Sequence, residues 1–287
     1  MQRVRIAGLC LVVACASSAV AAASTPVRFR EEPPEYGQCL PKPFHGVGNW
    51  RDAGCKVPKG PGLAEHKYEW YPGFGENGSH DPPRLITKRQ FTSKIKTGTV
   101  AVLDVAHLET VTCTGETAKG EITGPKTVGG VDVAFTGCTE AAGNPCQGAG
   151  QPPETIVTTS LQGELGIIKE FPHEPVRNRV GLVLFFEGIE FECVGIPVAV
   201  RGSVIHAIAA NAMGLRSTEQ FTGEAGEQVP KSFAFIGRRE QQPAFVAAVA
   251  PLAILETSIG GGPFRASSLS LTTIQKYAIK VEVSSIN

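Results

Sequence analysis

Short segments rich in valine and threonine recur from about residue 99 onward, and they constrain the fold more than any other feature of the chain. Residues 131–136, VDVAFT, alternate strictly between apolar and polar side chains, which is typical of a half-buried strand. Glycine, proline, asparagine and aspartate separate these segments at intervals that favour antiparallel pairing over βαβ units. The predicted strands are 99–105, 110–114, 131–136, 161–169, 179–186, 189–193, 198–208, 268–274 and 277–283. The sequence therefore predicts an all-β fold, an antiparallel sandwich or barrel.

The chain divides by composition into three parts. Residues 1–23 are predicted to be a signal peptide, residues 24–92 an irregular N-terminal segment rich in proline, glycine and cysteine, and residues 93–287 the antiparallel β domain. Proline and glycine at that density interrupt both helices and paired strands, so one short strand at 66–70 is expected in the N-terminal segment. Within 209–263 the assignment is open, because the stretch AFVAAVAPLAILET fits either a buried helix or two buried strands.

The N-terminus has the three-part layout of a secretory signal. Arg3 and Arg5 are followed by an apolar run from residue 6 to residue 16 and then by small residues. The apolar run is shorter than the roughly 20 residues that a membrane span needs. Cleavage is predicted after Ala21 or Ala23, which would export the remainder as a secreted or cell-surface protein.

A lipoprotein signal is the alternative. Residues 12–15, VVAC, resemble a lipobox, which would leave Cys15 acylated and the protein anchored at the surface. No later segment is apolar and uninterrupted enough to predict a transmembrane span. The charge is balanced, with 27 basic and 27 acidic residues in the full chain. That balance gives no electrostatic reason to expect nucleic acid as a partner.

Six cysteines follow the predicted signal peptide. An even number in an oxidising compartment predicts three disulfides, although six cysteines allow fifteen pairings. Zinc is the rival interpretation, but the chain has no CxxC or HxxxH spacing. Nearness in sequence predicts the pairs Cys39–Cys55 and Cys138–Cys146, which leaves Cys113–Cys193 by elimination.

The spacing of two acidic residues suggests a catalytic pair. Glu190 and Glu192 alternate with apolar residues, so both project from one face of a predicted strand. Paired carboxylates carry out glycoside hydrolysis, but alternating acids are far commoner on the solvated side of a strand. His206 lies in phase with Val204 and Ile208, which predicts a structural histidine on an apolar face.

The aromatic residues of the N-terminal segment have two interpretations. Trp50, Trp70, Tyr68 and Tyr71 could stack on sugar rings or form the small core of that segment, and the core is favoured because other large apolar residues are few there. No catalytic, cofactor-binding or metal-binding residue and no cofactor is predicted. The leading hypothesis is a non-catalytic protein in surface binding or envelope structure, with a cell-envelope or extracellular polymer as partner. A secreted hydrolase of polysaccharides or esters is the alternative, and a protease inhibitor presenting residues 139–145, TEAAGNP, is the second.

Several segments resemble a group of exported, uncharacterised proteins that are numerous in soil actinobacteria. The segments are PEYGQC at 34–39, GNWRDAGC at 48–55, KYEWYPG at 67–73, CTGETAKGEITGPKTVGGVDVAFTGC at 113–138, FEC at 191–193 and GPFRASSLSLTT at 262–273. The resemblance implies secretion and a β-rich build. It implies no activity, so it assigns no functional residue. The chain departs from the pattern near 237–252, where it is longer and richer in alanine.

Overall fold

Antiparallel β-strand makes up almost all of the regular structure, so the predicted all-β class is confirmed. The structure, a computed structural model, describes residues 34–42, 48–58, 67–72, 89–105, 109–224, 226–234 and 253–286. The strands are β1 Glu35–Pro41, β2 Tyr68–Pro72, β3 Gln90–Ile95, β4 Ala101–Val105, β5 Glu109–Ile122, β6 Thr127–Glu140, β7 Cys146–Gly148, β8 Thr155–Lys169, β9 Arg179–Cys193, β10 Ile196–Ile208, β11 Gly214–Glu224, β12 Glu227–Val229, β13 Leu255–Ile259 and β14 Arg265–Ser284. Among the described residues, the only helical segment is a 3-10 turn at Pro175–Arg177.

The sheet closes on itself. Neighbouring strands pair antiparallel in the order β3, β5, β6, β8, β9, β10, β11 and β14, and β14 pairs back with β3. Toward the other end of β14, β4 takes the place of β3 beside β5, and β13 takes the place of β11 beside β10. Both halves of the sheet are therefore closed, which gives a barrel rather than a sandwich. Closure removes the unpaired edges that an open sheet would expose.

One side chain bridges the gap where β13 replaces β11 along β14. The backbone N–H of Leu269 donates to Gln228 Oε1 at 2.9 Å, and Gln228 Nε2 donates to the carbonyl oxygen of Leu269 at 3.2 Å. The amide of Gln228 thus supplies the two hydrogen bonds that a neighbouring strand would make. Gln228 is 2% exposed, and its buried amide would destabilise the fold if it had no hydrogen-bond partners. These bonds supply such partners.

Apolar side chains alternate along the strands and fill most of the barrel. Leu165 and Val204 are fully buried in this main core. A smaller apolar cluster lies on the opposite face of β9 and β10 and contains Val183, Ile205 and Phe233. This second cluster explains why β9 and β10 carry apolar residues on both faces near their centres, where strict alternation would predict polar ones.

The N-terminal strands extend the same sheet. β1 pairs with β2 and with the end of β14 at Glu282–Ser284. β2 corresponds to the single strand predicted at 66–70, whereas β1 was not predicted. Residues 244–252 of the stretch with the open assignment lie outside the described residues, as does the predicted signal peptide at 1–23, and Leu255 begins β13.

All six predicted cysteines are in disulfides, but two of the three predicted pairings are wrong. The pair Cys39–Cys55 is confirmed. The other two bonds are Cys113–Cys138 and Cys146–Cys193, not Cys138–Cys146 and Cys113–Cys193. The physical reason is strand register. Cys113 in β5 lies directly opposite Cys138 in β6, and Cys146 in β7 lies directly opposite Cys193 in β9, with Cα atoms 4.0 and 4.2 Å apart.

Gly202 marks an irregularity in β10 that no larger residue fits. Its φ is +111°, and a Cβ atom there would collide with the carbonyl oxygen of Ile254. We expect Gly202→Ala to lower the free energy of unfolding by about 3 kcal/mol, because strain and collision add. Urea denaturation measures this. Gly195→Ala is the matched control, since its φ of +74° is also positive but open space surrounds it, and equal losses in the two variants would contradict the role of the collision.

Candidate functional site

Polar side chains from five strands converge inside the barrel. Ser93 of β3, Glu116 of β5, His206 of β10, Glu219 of β11 and Gln275 of β14 all line one cavity. Each is less than a tenth exposed. These strands are distant in sequence, and closure of the sheet brings them together. A polar group of this kind inside an otherwise apolar barrel is the strongest candidate site in the described part of the chain.

One side of the cavity carries a carboxyl group that favours its neutral form. Ser93 Oγ donates to Glu116 Oε1 at 3.2 Å. Burial raises the pKa of Glu116 from 4.5 to about 7, the hydrogen bond from Ser93 lowers it in part, and the negative charge of Glu219 raises it further. The two carboxylates therefore act on one another across the cavity, and Glu116 changes its charge near neutral pH.

The same cavity is lined by a second carboxylate and an imidazole. His206 Nε2 lies 3.4 Å from Glu219 Oε2, and the side-chain amide of Gln275, with its nitrogen toward Glu219, donates to the same carboxylate. The ring of His206 stacks on Phe221 with centroids 4.1 Å apart. Burial raises the pKa of Tyr277, and the charge of Glu219 raises it further, so the tyrosine stays neutral beside the carboxylate.

An apolar cavity adjoins the polar one. The polar cavity has a volume of about 50 Å³ and the apolar cavity about 60 Å³. Three side chains line both of them, Phe135, Phe186 and Leu269. These three are only partly buried although they point inward. The interior is therefore amphipathic, with charged groups at one end and an apolar chamber beyond two phenylalanine rings.

Some buried polar atoms in the cavities have no partner. His206 is fully buried, and neither of its ring nitrogens has a hydrogen bond in the structure. Oγ1 of Thr273, which lines the polar cavity, has none either. The same is true of Oγ1 of Thr158 in the apolar cavity. An unpaired buried polar group destabilises a fold by about 1–3 kcal/mol. These atoms therefore have hydrogen-bonding capacity that a molecule in the cavities could use.

The acidic pair predicted from spacing lies elsewhere. Glu190 and Glu192 are exposed on the outer face of β9, as the solvated-strand interpretation predicts, and neither lines a cavity. The pair therefore gives the hydrolase hypothesis no structural support. His206 does share the inner face with Val204 and Ile208, as predicted, but it contacts a carboxylate instead of being surrounded by apolar atoms alone.

The N-terminal aromatic residues are core, as favoured. Trp70 is buried against the Cys39–Cys55 disulfide, and Trp50 and Tyr68 pack on the same cluster. Trp70 Nε1 donates to Glu35 Oε1 at 2.9 Å, which satisfies the indole. Of these side chains, Trp70 and Tyr71 are buried and Trp50 and Tyr68 are partly exposed.

The loop at 139–145 is a tight turn between two cysteines of different disulfides. Its residues from Ala141 to Pro145 are exposed, whereas the carboxylate of Glu140 accepts hydrogen bonds from the backbone N–H groups of Ala142 and Asn144. These bonds lower the pKa of Glu140. The loop is accessible, and these hydrogen bonds hold its turn, as the inhibitor hypothesis requires.

Sequence reasoning missed Ser93, Glu116, Glu219 and Gln275 as residues of this site. A weak signal existed for Glu219, because it alternates in phase with Ser217 and Phe221 and so falls on the inner face of β11. A charged residue in an apolar phase is unusual, since glutamate is almost never fully buried without a partner. For Glu116 no such signal existed, because the buried positions of β5 change phase between Cys113 and Glu116.

Searches among protein-family models, curated proteins and solved structures find no match to this chain. In the described residues, no three histidine, cysteine, aspartate or glutamate side chains are arranged to hold a metal ion. The same part of the chain contains no helix with the length and apolar character needed to cross a membrane. The three disulfides are consistent with an oxidising, extracellular location.

Proposed function

We propose that this protein is an exported, non-catalytic binding protein that takes a small ligand into its barrel. It would act outside the cell or at its surface. The proposal narrows the surface-binding role expected from the sequence, because it assigns binding to the interior of the barrel. Cell-envelope or extracellular polymers are then the surroundings in which the protein works, not the ligand inside it.

The observation that carries the proposal is the pair of adjoining cavities. Ligand sites are concave, mostly apolar and supplied with a few convergent polar groups. The barrel interior has that composition, with an apolar chamber next to Glu116, His206 and Glu219. Unpartnered polar atoms such as His206 Nδ1 add to this, because a ligand could satisfy them. Export is supported by the predicted signal peptide and by the three disulfides.

NMR titration of the mature protein with short amphipathic molecules tests the proposal. We expect saturable shifts of backbone signals in β5, β11 and β14, the strands that line the polar cavity. Ala118 lines this cavity, so Ala118→Val should weaken binding by at least tenfold by filling it. Ala212→Val is the matched control, because Ala212 is exposed on the surface. Shifts confined to outer residues would contradict the proposal.

The alternatives predict different results. A hydrolase would turn over a polysaccharide or ester, and a single substitution would abolish that turnover. An inhibitor would block a serine protease through residues 139–145, and changes at Ala141 or Ala142 would remove the inhibition without affecting the cavities. Either result would replace the binding role that we propose.

A further inference from the structure

We propose that the ligand of the barrel is a small primary alkyl amine, held with its ammonium group between Glu116 and Glu219 and its carbon chain toward Phe135 and Phe186. This inference rests on the proposed function and adds the chemistry of the ligand. It depends on three features of the interior, namely its charge, its unpartnered acceptors and its size.

The charge of the polar cavity favours a cation. Two carboxyl groups, Glu116 and Glu219, line it, and no lysine or arginine side chain is among the described residues of that lining. Ser93 and Gln275 donate hydrogen bonds to the carboxyl groups but bring no positive charge. Among the described lining residues, the imidazole of His206 is the one basic group. A buried carboxylate needs a cation or several hydrogen bonds, and a second carboxylate nearby increases that need.

The acceptors match the three donors of an ammonium group. Neither ring nitrogen of His206 has a hydrogen-bond partner in the structure, and in the neutral ring one of the two is an acceptor. Glu116, Glu219 and this nitrogen of His206 are then three acceptors on residues that line one cavity. An alcohol offers one donor and a carboxylate none, so neither satisfies this set.

The volumes limit the ligand to a short chain. Cavities of about 50 and 60 Å³ are together smaller than the 150 Å³ cavity known to bind benzene. A linear amine of about five heavy atoms fits this scale if a phenylalanine ring between the cavities rotates. Because Phe135 and Phe186 line both cavities, they would cover the carbon chain. At best such a ligand binds with roughly micromolar affinity.

Glu116 links binding to pH. A bound ammonium group favours the ionised carboxylate, so the ligand must displace a proton from Glu116 at a pH below its pKa of about 7. The other titratable groups that line the cavity are His206 and Glu219, with Tyr277 close to Glu219. Affinity for the amine should rise about tenfold from pH 6 to pH 8, because the ionised fraction of Glu116 rises by about that factor.

The experiment compares n-butylamine with 1-butanol, which has the same number of heavy atoms. Both are titrated by NMR at pH 6 and pH 8 into the full mature protein and into Glu116→Gln, Glu219→Gln and the outer-face control Glu190→Gln. We expect the amine to bind at least tenfold more tightly than the alcohol at pH 8. Glu219→Gln should remove most of that preference, Glu116→Gln should remove the pH dependence, and Glu190→Gln should change neither. Thermal unfolding of each variant establishes that it is folded.

The outcomes separate this inference from the proposed function. If the amine and the alcohol bind equally and Ala118→Val blocks both, the barrel binds ligands but the assignment of an amine is wrong. If the amine is preferred in Glu116→Gln and Glu219→Gln as strongly as in the wild type, the two carboxylates do not recognise it and the assignment is again wrong. If neither molecule perturbs the inner strands at millimolar concentration, both the inference and the proposed function fail.

Discussion

Replacing Cys146 and Cys193 together with alanine is expected to lower the free energy of unfolding by about 4 kcal/mol. The bond closes a loop with a sequence separation of 47. In the chain-entropy model a cross-link of that span raises the free energy of the unfolded chain by about this amount, because it lowers the chain's conformational entropy. The loop contains all of β8 and most of β9, two neighbouring strands of the barrel wall. Loss of the bond therefore increases the conformational freedom of this large segment in the unfolded chain.

Urea denaturation of the double variant and the wild type measures the effect. The matched comparison is a Cys39→Ala, Cys55→Ala variant, whose shorter loop, with a sequence separation of 16, should cost about 3 kcal/mol. Mass spectrometry of non-reduced peptides must also find Cys146 joined to Cys193. A Cys138–Cys146 bond, or a loss below about 1 kcal/mol, would contradict the strand register on which this prediction depends.

The pairing register of the β5–β6 hairpin could have been predicted approximately from the sequence. Cys113 lies twelve residues before Pro125 and Cys138 lies twelve residues after Lys126, so a turn at these two residues places the cysteines opposite each other. Nearness in sequence was a poorer guide, because strand pairing sets which Cβ atoms meet. The turn in the structure is one residue longer, because the backbone N–H of Thr123 donates to the carbonyl oxygen of Thr127. An irregularity between Lys119 and Glu121 then restores the register that sets Cys113 opposite Cys138.

The strands were predicted well where apolar and polar residues alternate clearly, and less well where that alternation is interrupted. The predicted strands 179–186 and 189–193 form the single strand β9, and Gly188, with a φ of +147°, marks the irregularity that separated them in the sequence. The two predicted strands at the C-terminus likewise form the single strand β14. β11 was missed because its outer face is polar and its inner face carries Ser217 and Glu219 among few apolar residues.

Local sequence patterns could not predict the polar cavity. Its lining residues come from strands separated by up to about 180 positions, and only closure between β14 and β3 brings Gln275 near Ser93. A single sequence shows which residues alternate along a strand. It does not show which strands face one another across a closed barrel, so the partners of His206 could not be inferred from its neighbours.

Between about pH 5 and pH 8 the stability of the protein is expected to fall, and Glu282→Gln should remove much of that fall. Glu282 is 1% exposed in β14, and neither of its carboxyl oxygens has a hydrogen-bond partner in the structure. Burial raises its pKa from 4.5 to about 8, the positive charge of Lys56 lowers it in part, and the negative charge of Asp52 raises it. The carboxyl group is therefore neutral in the folded protein at pH 7.

The sign follows from which state holds the proton. From pH 4.5 to about 8 the folded protein keeps a proton on Glu282 that the unfolded chain has lost, so raising the pH favours unfolding. The two pKa values correspond to about 5 kcal/mol at the alkaline end of this range. Glu116 adds to the fall up to about pH 7 for the same reason.

Urea denaturation at pH 4, 6 and 8.5 tests this. Glutamine keeps the shape of the protonated side chain, so Glu282→Gln should resemble the wild type at pH 4 and exceed it by several kcal/mol at pH 8.5. Glu190→Gln, which makes the same change on the exposed face of β9, is the control and should leave the stability curve of the wild type unchanged. A constant difference between Glu282→Gln and the wild type at all three pH values would show that Glu282 keeps no proton on folding.

Because Glu282 pairs with Gly37 of β1 and is influenced by Asp52 and Lys56, the alkaline loss should begin with release of the N-terminal disulfide segment from β14. Hydrogen exchange at β1 that accelerates with pH ahead of exchange at β9, after correction for the intrinsic rate, is the signature of that local step.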